Sequence, residues 1–340
     1  MIDFAGKRWW YLSISGALFL IAAVALGLWR LKPGIEFTSG SSFTFEFTQQ
    51  TVTQAQLADA MAELGHDEAR IQSASDNSFI IRTSELQGAP PVNSGTSGPQ
   101  EVVAGEIDEI QDALCLKFGV VPAGGGACSG VTRNDYSSVS ETVSTEIAWK
   151  ATLAVIAASI AILIYVTIVF RRLPKPLLYG SAAIIAVLHD AFLVLGLFAF
   201  LGEFNNREVD TAFITAILTV IGFSVHDTIV VFDRIRERLL NDPYVKLEEA
   251  VNASMTETLA RSINTSFVVV LTVVSMLLIG GESIQNFLIV LLVGIISGTY
   301  SSTAIASQLV VAWENDDLGR FFRKVFGRKG DEKQLPAPVA

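Results

Sequence analysis

Two cysteines, three histidines and a charged fraction of 17% are what this 340-residue sequence has in short supply. The histidines, His66, His189 and His226, lie far apart, and no cysteine falls within the long apolar runs, so no zinc-type cluster is expected. No glycine-rich phosphate loop stands at a strand–helix turn, which excludes a nucleotide site of the usual kind. No other cofactor motif is present, so none is expected. Low charge with 51% hydrophobic residues excludes a disordered chain and is unusual for a soluble domain. The net charge of −10 argues against nucleic acid as a partner, because an acidic surface repels phosphate.

What the chain does have is apolar runs. Lys7 and Arg8 precede a first run at 9–30 with tryptophans at both ends. That run is longer than the core of a secretory leader, and it reads as an uncleaved span anchored at two interfaces. Further runs at 147–170, 177–201, 211–233, 262–279 and 287–313 are each long enough, at ~1.5 Å per residue, to cross a hydrocarbon core of ~30 Å. Arginines and lysines cluster after the second and fourth runs and in the tail 314–340, whereas acidic residues crowd into 36–146. By the positive-inside bias, both termini lie in the cytoplasm and residues 34–146 lie outside. The stretch 245–259 carries Leu247, Val251, Met255 and Leu259 at helical spacing, and is expected to be an amphipathic helix at the cytoplasmic interface.

The outer segment alternates period-2 and period-3.6 patterns. A strand at 42–47, a helix at 53–64, a hairpin through 70–83, a helix at 106–118 and a strand at 131–139 follow in the order βαββαβ, the split-βαβ, ferredoxin-like pattern. The expected class is therefore a six-span α-helical membrane protein with an extracytoplasmic α+β domain. This domain shows no catalytic constellation, and His66, after the helix-stopping Gly65, reads as a solvated loop residue. Loops at 87–105 and 122–130 are rich in Gly, Pro and Ser. Cys115 and Cys128 are either bridged, in an oxidising compartment, or two thiols.

Ionisable groups inside the spans carry the functional signal. Asp227 sits well within the fourth run, where a charge costs roughly 2.5–3.5 kcal/mol on insertion scales. Crossing a membrane does not require that cost. The default reading is functional, and the bland one is a neutral packing aspartic acid. The helical step places Ala216, Val220, Phe223, Ser224 and Asp227 on one face. Arg261, at the start of the fifth run, falls within about one helical turn of the same depth in an antiparallel neighbour. Such a neighbour can balance the carboxyl between charged and neutral forms, whereas alone Arg261 would be an ordinary interfacial anchor. Arg234 is a rival partner, and Asp233 is an interfacial ion-pair residue. His189, Asp190 and His226 are further relay candidates, or polar contacts between helices. Gly294 and Gly298, with Ser301 and Ser302, form a small-residue face suited to close helix approach.

The motif GFSVHDTIVVFDRIRE at 222–237 resembles the signature of the SecF family, with His226 where Asn is usual. GIEFTSG at 34–40, LHDAFLVLG at 188–196, LARSINTS at 259–266, GGESIQNF at 280–287 and GIISGTYSS at 294–302 extend the likeness over nearly the whole chain, apart from the two loops. The resemblance implies half of a resistance-nodulation-division (RND) type bundle, paired with SecD beside the SecYEG channel, with YajC and YidC as further partners and unfolded polypeptides as cargo. It implies no enzyme activity of the chain itself, but use of the proton motive force. Asp227 and Arg261 would conduct the proton. The rival reading is a half-transporter of the same superfamily that exports a lipid or small molecule, and a weaker one is a docking scaffold. The topology is open to direct test. In a chain without its own cysteines, Ser94→Cys should react with a membrane-impermeant thiol reagent from outside, and Asn241→Cys only after permeabilisation. Reversed labelling would invert the orientation.

Overall fold

In the computed structural model of the chain, residues 3–75, 77–87, 105–120, 129–173, 175–242, 244–281, 284–315 and 317 are described. The chain opens with α1 (Arg8–Trp29) and a short α2 (Ile35–Thr38). The α/β domain follows as β1 (Gly40–Phe47), α3 (Gln54–Glu63), β2 (Arg70–Ser75), β3 (Ser78–Thr83), α4 (Glu106–Phe118) and β4 (Val131–Val139). Then come α5 (Glu141–Val169), α6 (Pro176–Asn205), α7 (Thr211–Asn241) and α8 (Leu247–Ile279). The last long helix is α9 (Gln285–Ser301), a π-helical stretch (Ser302–Ala306) and α10 (Ser307–Glu314).

Six helices are long and apolar enough to cross a membrane. Their burial sorts them into inner and outer positions. The windows of α7 and of the α9–α10 helix are 50% and 56% buried inside the protein, whereas that of α5 is 6% buried. The α7–α9 pair is therefore the axis of the bundle, and α5 faces outward along most of its length. Small residues let the central helices approach. A Cβ on Gly294 would run into the Val220 side chain, and one on Gly298 would stand 3.0 Å from Ser224 Cβ. Elsewhere in the bundle Gly196 packs in the same way against Ala22 of α1.

One expectation is overturned. The amphipathic stretch 245–259 is not a separate interfacial helix, because α8 runs unbroken from Leu247 to Ile279. No glycine or proline interrupts those residues, so nothing ends the helix at Arg261. Val251 and Met255 are buried in a cluster with Ile305, Leu309 and Val310, and Asn252 Oδ1 accepts hydrogen bonds from the Phe4 and Ala5 N–H groups at 2.9 and 2.7 Å. The apolar stripe thus packs on the bundle itself. The helix α7 likewise continues past 233 to Asn241.

In the α/β domain all strand pairs are antiparallel, in the order β2-β3-β1-β4. Phe43, Phe45 and Phe47 alternate inward from β1 and meet Leu57 and Met61 of α3 and Ile107 and Leu114 of α4. Thr53 and Gln56 form a capping box at the start of α3. His66 is 7% exposed rather than solvated: its Nδ1 lies 3.2 Å from Thr83 Oγ1, and its Nε2 lies 3.5 Å from Glu106 Oε1. Cys115 is buried and disulfide-bonded. Cys128, most of the loops 87–105 and 122–130, and the basic tail beyond 317 lie outside the described residues.

The domain is fastened to the bundle where the chain leaves α1 and where α6 gives way to α7. Gly34 N–H donates to Val209 O, and Val209 N–H donates to Lys32 O, each at 2.8 Å. Glu208, 2% exposed, meets Arg70 Nη1 of β2 and Arg82 Nε of β3, each at 3.2 Å. Burial pushes the Glu208 carboxyl above its ordinary range, against the pull of the two arginines. Asn286 of α9 donates to Glu208 O and Asp210 Oδ2, so the joint reaches the central helix.

Close by, Glu68 Oε1 accepts from Thr83 Oγ1 at 2.8 Å and from Ser84 Oγ at 3.0 Å. Its own backbone N–H, and then these hydroxyls, bring its carboxyl down to about 2. A depressed carboxylate stabilises the fold above the ordinary carboxylate range, and the effect is lost as pH falls through about 2. Glu68→Gln should therefore lower the thermal midpoint of the domain at pH 7, and the gap to wild type should close on acidification. A gap that does not change with pH would contradict this assignment.

Candidate functional site

The interior of the bundle holds two carboxyl groups. Asp227 of α7 is 8% exposed and Asp190 of α6 is 1% exposed. Hydroxyl groups supply their donors. Ser262 of α8 donates to Asp227 Oδ1 and Ser302, the first residue of the π-helical stretch, donates to Asp227 Oδ2, each at 2.6 Å. Ser297 and Ser301 of α9 donate to Asp190 Oδ1 and Oδ2, each at 2.6 Å, and Ser224 of α7 donates to Asp190 Oδ2 at 2.7 Å. Four elements around the α7–α9 axis thus converge on one buried polar centre.

The local structure explains the convergence. Ser224 and Asp227 are three residues apart on α7 and share its inward face with Ala216 and Val220, as the 100° step requires. Gly294 and Gly298 bring α9 close enough for Ser297 and Ser301 to reach across to α6. The π-helical stretch then begins at Ser302, and Ser307 Oγ donates to Ser302 O at 3.0 Å, five residues back along the chain. Adjacent residues face neighbouring helices here, so Ser301 meets Asp190 and Ser302 meets Asp227.

The other candidates divide. His189 is 7% exposed, with Nδ1 3.4 Å from Asp190 Oδ1 and a buried Nε2 that has no hydrogen-bond partner among the described residues. His226 is exposed on the outer face of α7, away from the polar centre. Asp233 is exposed and accepts from Arg236 at 3.0 Å. Arg234 pairs with Glu257 and Glu237, each at 2.5 Å, and not with Asp227. Arg261, expected near the depth of Asp227 as its counter-charge, forms no ion pair with it among the described residues. Arg261 is exposed, and Ser262, one 100° step further on, takes the position facing Asp227. Arg261 instead lines a cleft of about 620 Å³ with Tyr165, Val230, Asp233 and Glu257. The cleft opens at the end of the bundle remote from the α/β domain, and Val230 lies only about one turn of α7 beyond Asp227.

Sequence reasoning named Ser224 as a possible relay or support residue and missed the other four serine donors. Ser262 and Ser297 carried no motif, and Ser301 and Ser302 were legible only as small residues for packing. A usable signal was that Ser301 and Ser302 follow Ser297 by four and five residues, on a helix that already needed a close neighbour. Among the described residues no group of His, Cys, Asp and Glu could hold a metal ion.

Fold and site together define a multi-pass membrane protein with two buried, serine-bonded carboxyl groups in its bundle. A family model described as protein export membrane protein SecD/SecF, C-terminal, matches residues 126–316. The SecF protein translocase subunit of Thermobaculum terrenum is 37% identical over 95% of this chain and 98% of its own length. That of Anaerolinea thermophila is 33% identical over 95% of this chain and 98% of its own length. The crystal structure of SecDF from Thermus thermophilus, titled a translocon-associated membrane protein, superposes with a TM-score of 0.74 at 28% identity. The match covers 92% of this chain but 39% of that longer one. The chain belongs to the SecF branch of the SecD/SecF family.

Removing one donor at a time tests the centre. Ser262→Ala and Ser302→Ala should each cost roughly 0.6–1.7 kcal/mol, the range for hydrogen bonds between membrane helices. The double replacement should depart from additivity, because both donors serve one carboxyl. Gly298→Leu should cost more than either, since it forces α7 from α9. Thermal unfolding of the purified chain reads all four. A neutral Ser302→Ala and a neutral Gly298→Leu together would contradict this packing.

Proposed function

We propose that this chain works as a translocase subunit that moves protons through Asp227 to drive motion of its α/β domain during polypeptide export. The observation that carries the reading is a carboxyl in the centre of the bundle, held only by two serine hydroxyls, in a chain of the SecF branch. Such a group can take and release a proton without rearranging an ion pair. In the charged form it accepts both hydroxyls. In the neutral form one oxygen still accepts and the O–H seeks an acceptor elsewhere. The cleft at Arg261 and Val230 gives water a route to within about one turn of Asp227 from one end. Arg261 then acts at a distance, or by swinging inward, as the counter-charge of the loaded or unloaded state.

A motor needs a second half. The chain is similar to SecDF of Bacillus subtilis, 35% identical, but spans only 38% of that protein. We read this as one half of a larger bundle, with a SecD partner as the other and the SecYEG channel, YajC and YidC as neighbours in the export machinery. Both termini lie in the cytoplasm in this reading, and the antiparallel βαββαβ domain, of ferredoxin-like type, stands outside. The joint at Glu208, Arg70 and Arg82 is the mechanical link between them. The domain contributes binding and leverage, and the chain catalyses no covalent reaction.

A second reading, export of a lipid or small molecule, finds one observation in its favour. An apolar groove of about 700 Å³ lies among α1, α5, α6 and α7, lined by Phe19, Phe37, Phe192 and Phe213. In a bilayer an apolar groove fills with acyl chains whatever the protein does, so it ranks below the first. Co-purification separates the two, since a SecD partner supports export of polypeptides and a lone homo-oligomer the other.

The decisive variant is Asp227→Asn, which keeps size and hydrogen bonding but cannot ionise. In vesicles it should assemble at wild-type abundance and lose gradient-driven export, with any ATP-driven step intact. Asp227→Glu should retain part of the activity. Full gradient stimulation in Asp227→Asn would falsify the carrier role.

A further inference from the structure

Asp190 is the more buried of the two carboxyls and the more completely hydrogen-bonded. Three serine hydroxyls from two helices converge on it, where Asp227 has two. A permanently ionised aspartate in a membrane bundle would be expected to pair with a cation, since an isolated buried charge is costly. Among the described residues no arginine or lysine touches Asp190, and its one titratable contact is His189 Nδ1 at 3.4 Å.

Its relation to Asp227 is close and specific. Ser224, which donates to Asp190, lies three residues before Asp227 on the same face of α7, about 4.5 Å of helix rise. Ser301 and Ser302 are consecutive, and one serves each carboxyl. The π-helical stretch starts at that step, where the backbone bonding of this helix passes from the four-residue to the five-residue pattern. The groups facing the two carboxyls are, for Asp190, His189 on α6, Ser224 on α7 and Ser297 and Ser301 on α9. For Asp227 they are Ser262 on α8 and Ser302 on the π-helical stretch.

We infer that Asp190 is a second proton-holding carboxyl of the same centre, exchanging its proton with Asp227 across the Ser301–Ser302 step, with His189 as the group that Asp190 faces on its far side. In the exchange the O–H bond of the Asp227 carboxyl breaks and an O–H bond forms on the Asp190 carboxylate. One negative charge moves from α6 to α7, and nothing else is consumed. His189, whose buried Nε2 has no partner among the described residues, is placed to accept or return the proton of Asp190 through Nδ1. A proton thus has two stations on adjacent helices, and the relative position of α6 and α7 depends on which is occupied. The inference rests on the proton-carrier reading of Asp227.

The test uses the complete export complex in vesicles and compares gradient-driven export over a range of pH for wild type, Asp227→Asn, Asp190→Asn, Asp190→Glu and Ser301→Ala. Asp190→Asn should lose roughly tenfold or more of the gradient-driven rate, and Asp190→Glu should recover part of it. Ser301→Ala should slow export less and move the pH of half-maximal export, because the carboxyl survives with one donor fewer. If Asp190→Asn fails to accumulate, Ser301→Ala and Asp190→Glu decide alone, through the shift in pH dependence that a packing role would not produce. Wild-type rate and pH profile in Asp190→Asn or Ser301→Ala, with Asp227→Asn inactive, overturn this inference and leave the carrier role of Asp227 standing. Full stimulation in Asp227→Asn as well overturns both.

Discussion

A carboxyl group withdrawn from water must find hydrogen bonds inside the protein, and the rest of this bundle is arranged around meeting that demand twice. Five serine hydroxyls, at 2.6 to 2.7 Å, come from three different helices to Asp190 and Asp227. They can reach only if α7 and α9 lie close together, which is why glycine stands at 294 and 298 opposite Val220 and Ser224. The π-helical stretch follows directly on the two serines Ser301 and Ser302. Ser302, one helical step after Ser301, meets the neighbouring carboxyl, and where the bonding pattern then changes its carbonyl accepts the Ser307 hydroxyl. Closeness and small residues are one adaptation.

The polar centre and the α/β domain are connected through short structural routes. The helix α7 begins at Thr211, immediately after the Glu208–Asp210 segment that clasps Arg70, Arg82 and Asn286. A displacement of α7 along its axis is therefore presented to β2 and β3 with no flexible linker between. Lys32 and Gly34, at the exit from α1, bond to the same Val209. The domain is tied to the bundle at the exit from α1, at the segment between α6 and α7, and where β4 runs into α5. Among the six long helices α5 is the least buried, in keeping with a subunit that meets lipid or another membrane chain.

Much of this was legible in the sequence because the signals were periodic. Six apolar runs were long enough to stand out by length alone, and the stripe of Ile107, Ile110, Leu114 and Phe118 followed the 3.6-residue period to the residues now buried on α4. Asp227 stood out because charge is rare at that depth. What was not legible depended on rotation and on contacts between distant segments. Arg261 and Ser262 are neighbours, and depth alone could not say which of them faces α7; a single 100° step decides for the serine. The stretch 245–259 carried a surface-helix pattern, but its apolar stripe meets Ile305 and Val310, residues far along the chain that no local pattern reveals. His66 followed a helix-stopping glycine and still became buried, because β3 supplies Thr83 as its partner. Serine, common and small, announces nothing by itself, so apart from Ser224, which shares the Asp227 face, the donors of both carboxyls stayed hidden until the helices were assembled.

The central claim is that Asp227 changes protonation inside the bundle as the gradient is applied. Infrared difference spectroscopy on the complex in oriented vesicles reads that directly, through the stretching band of a protonated carboxyl. With acid applied on the side of the α/β domain, wild type is predicted to gain a buried-carboxyl band that is missing from Asp227→Asn and shifted in Ser302→Ala, whose hydroxyl contacts that oxygen. A band that is the same in wild type and Asp227→Asn, or no carboxyl band that responds to the gradient, would contradict the account.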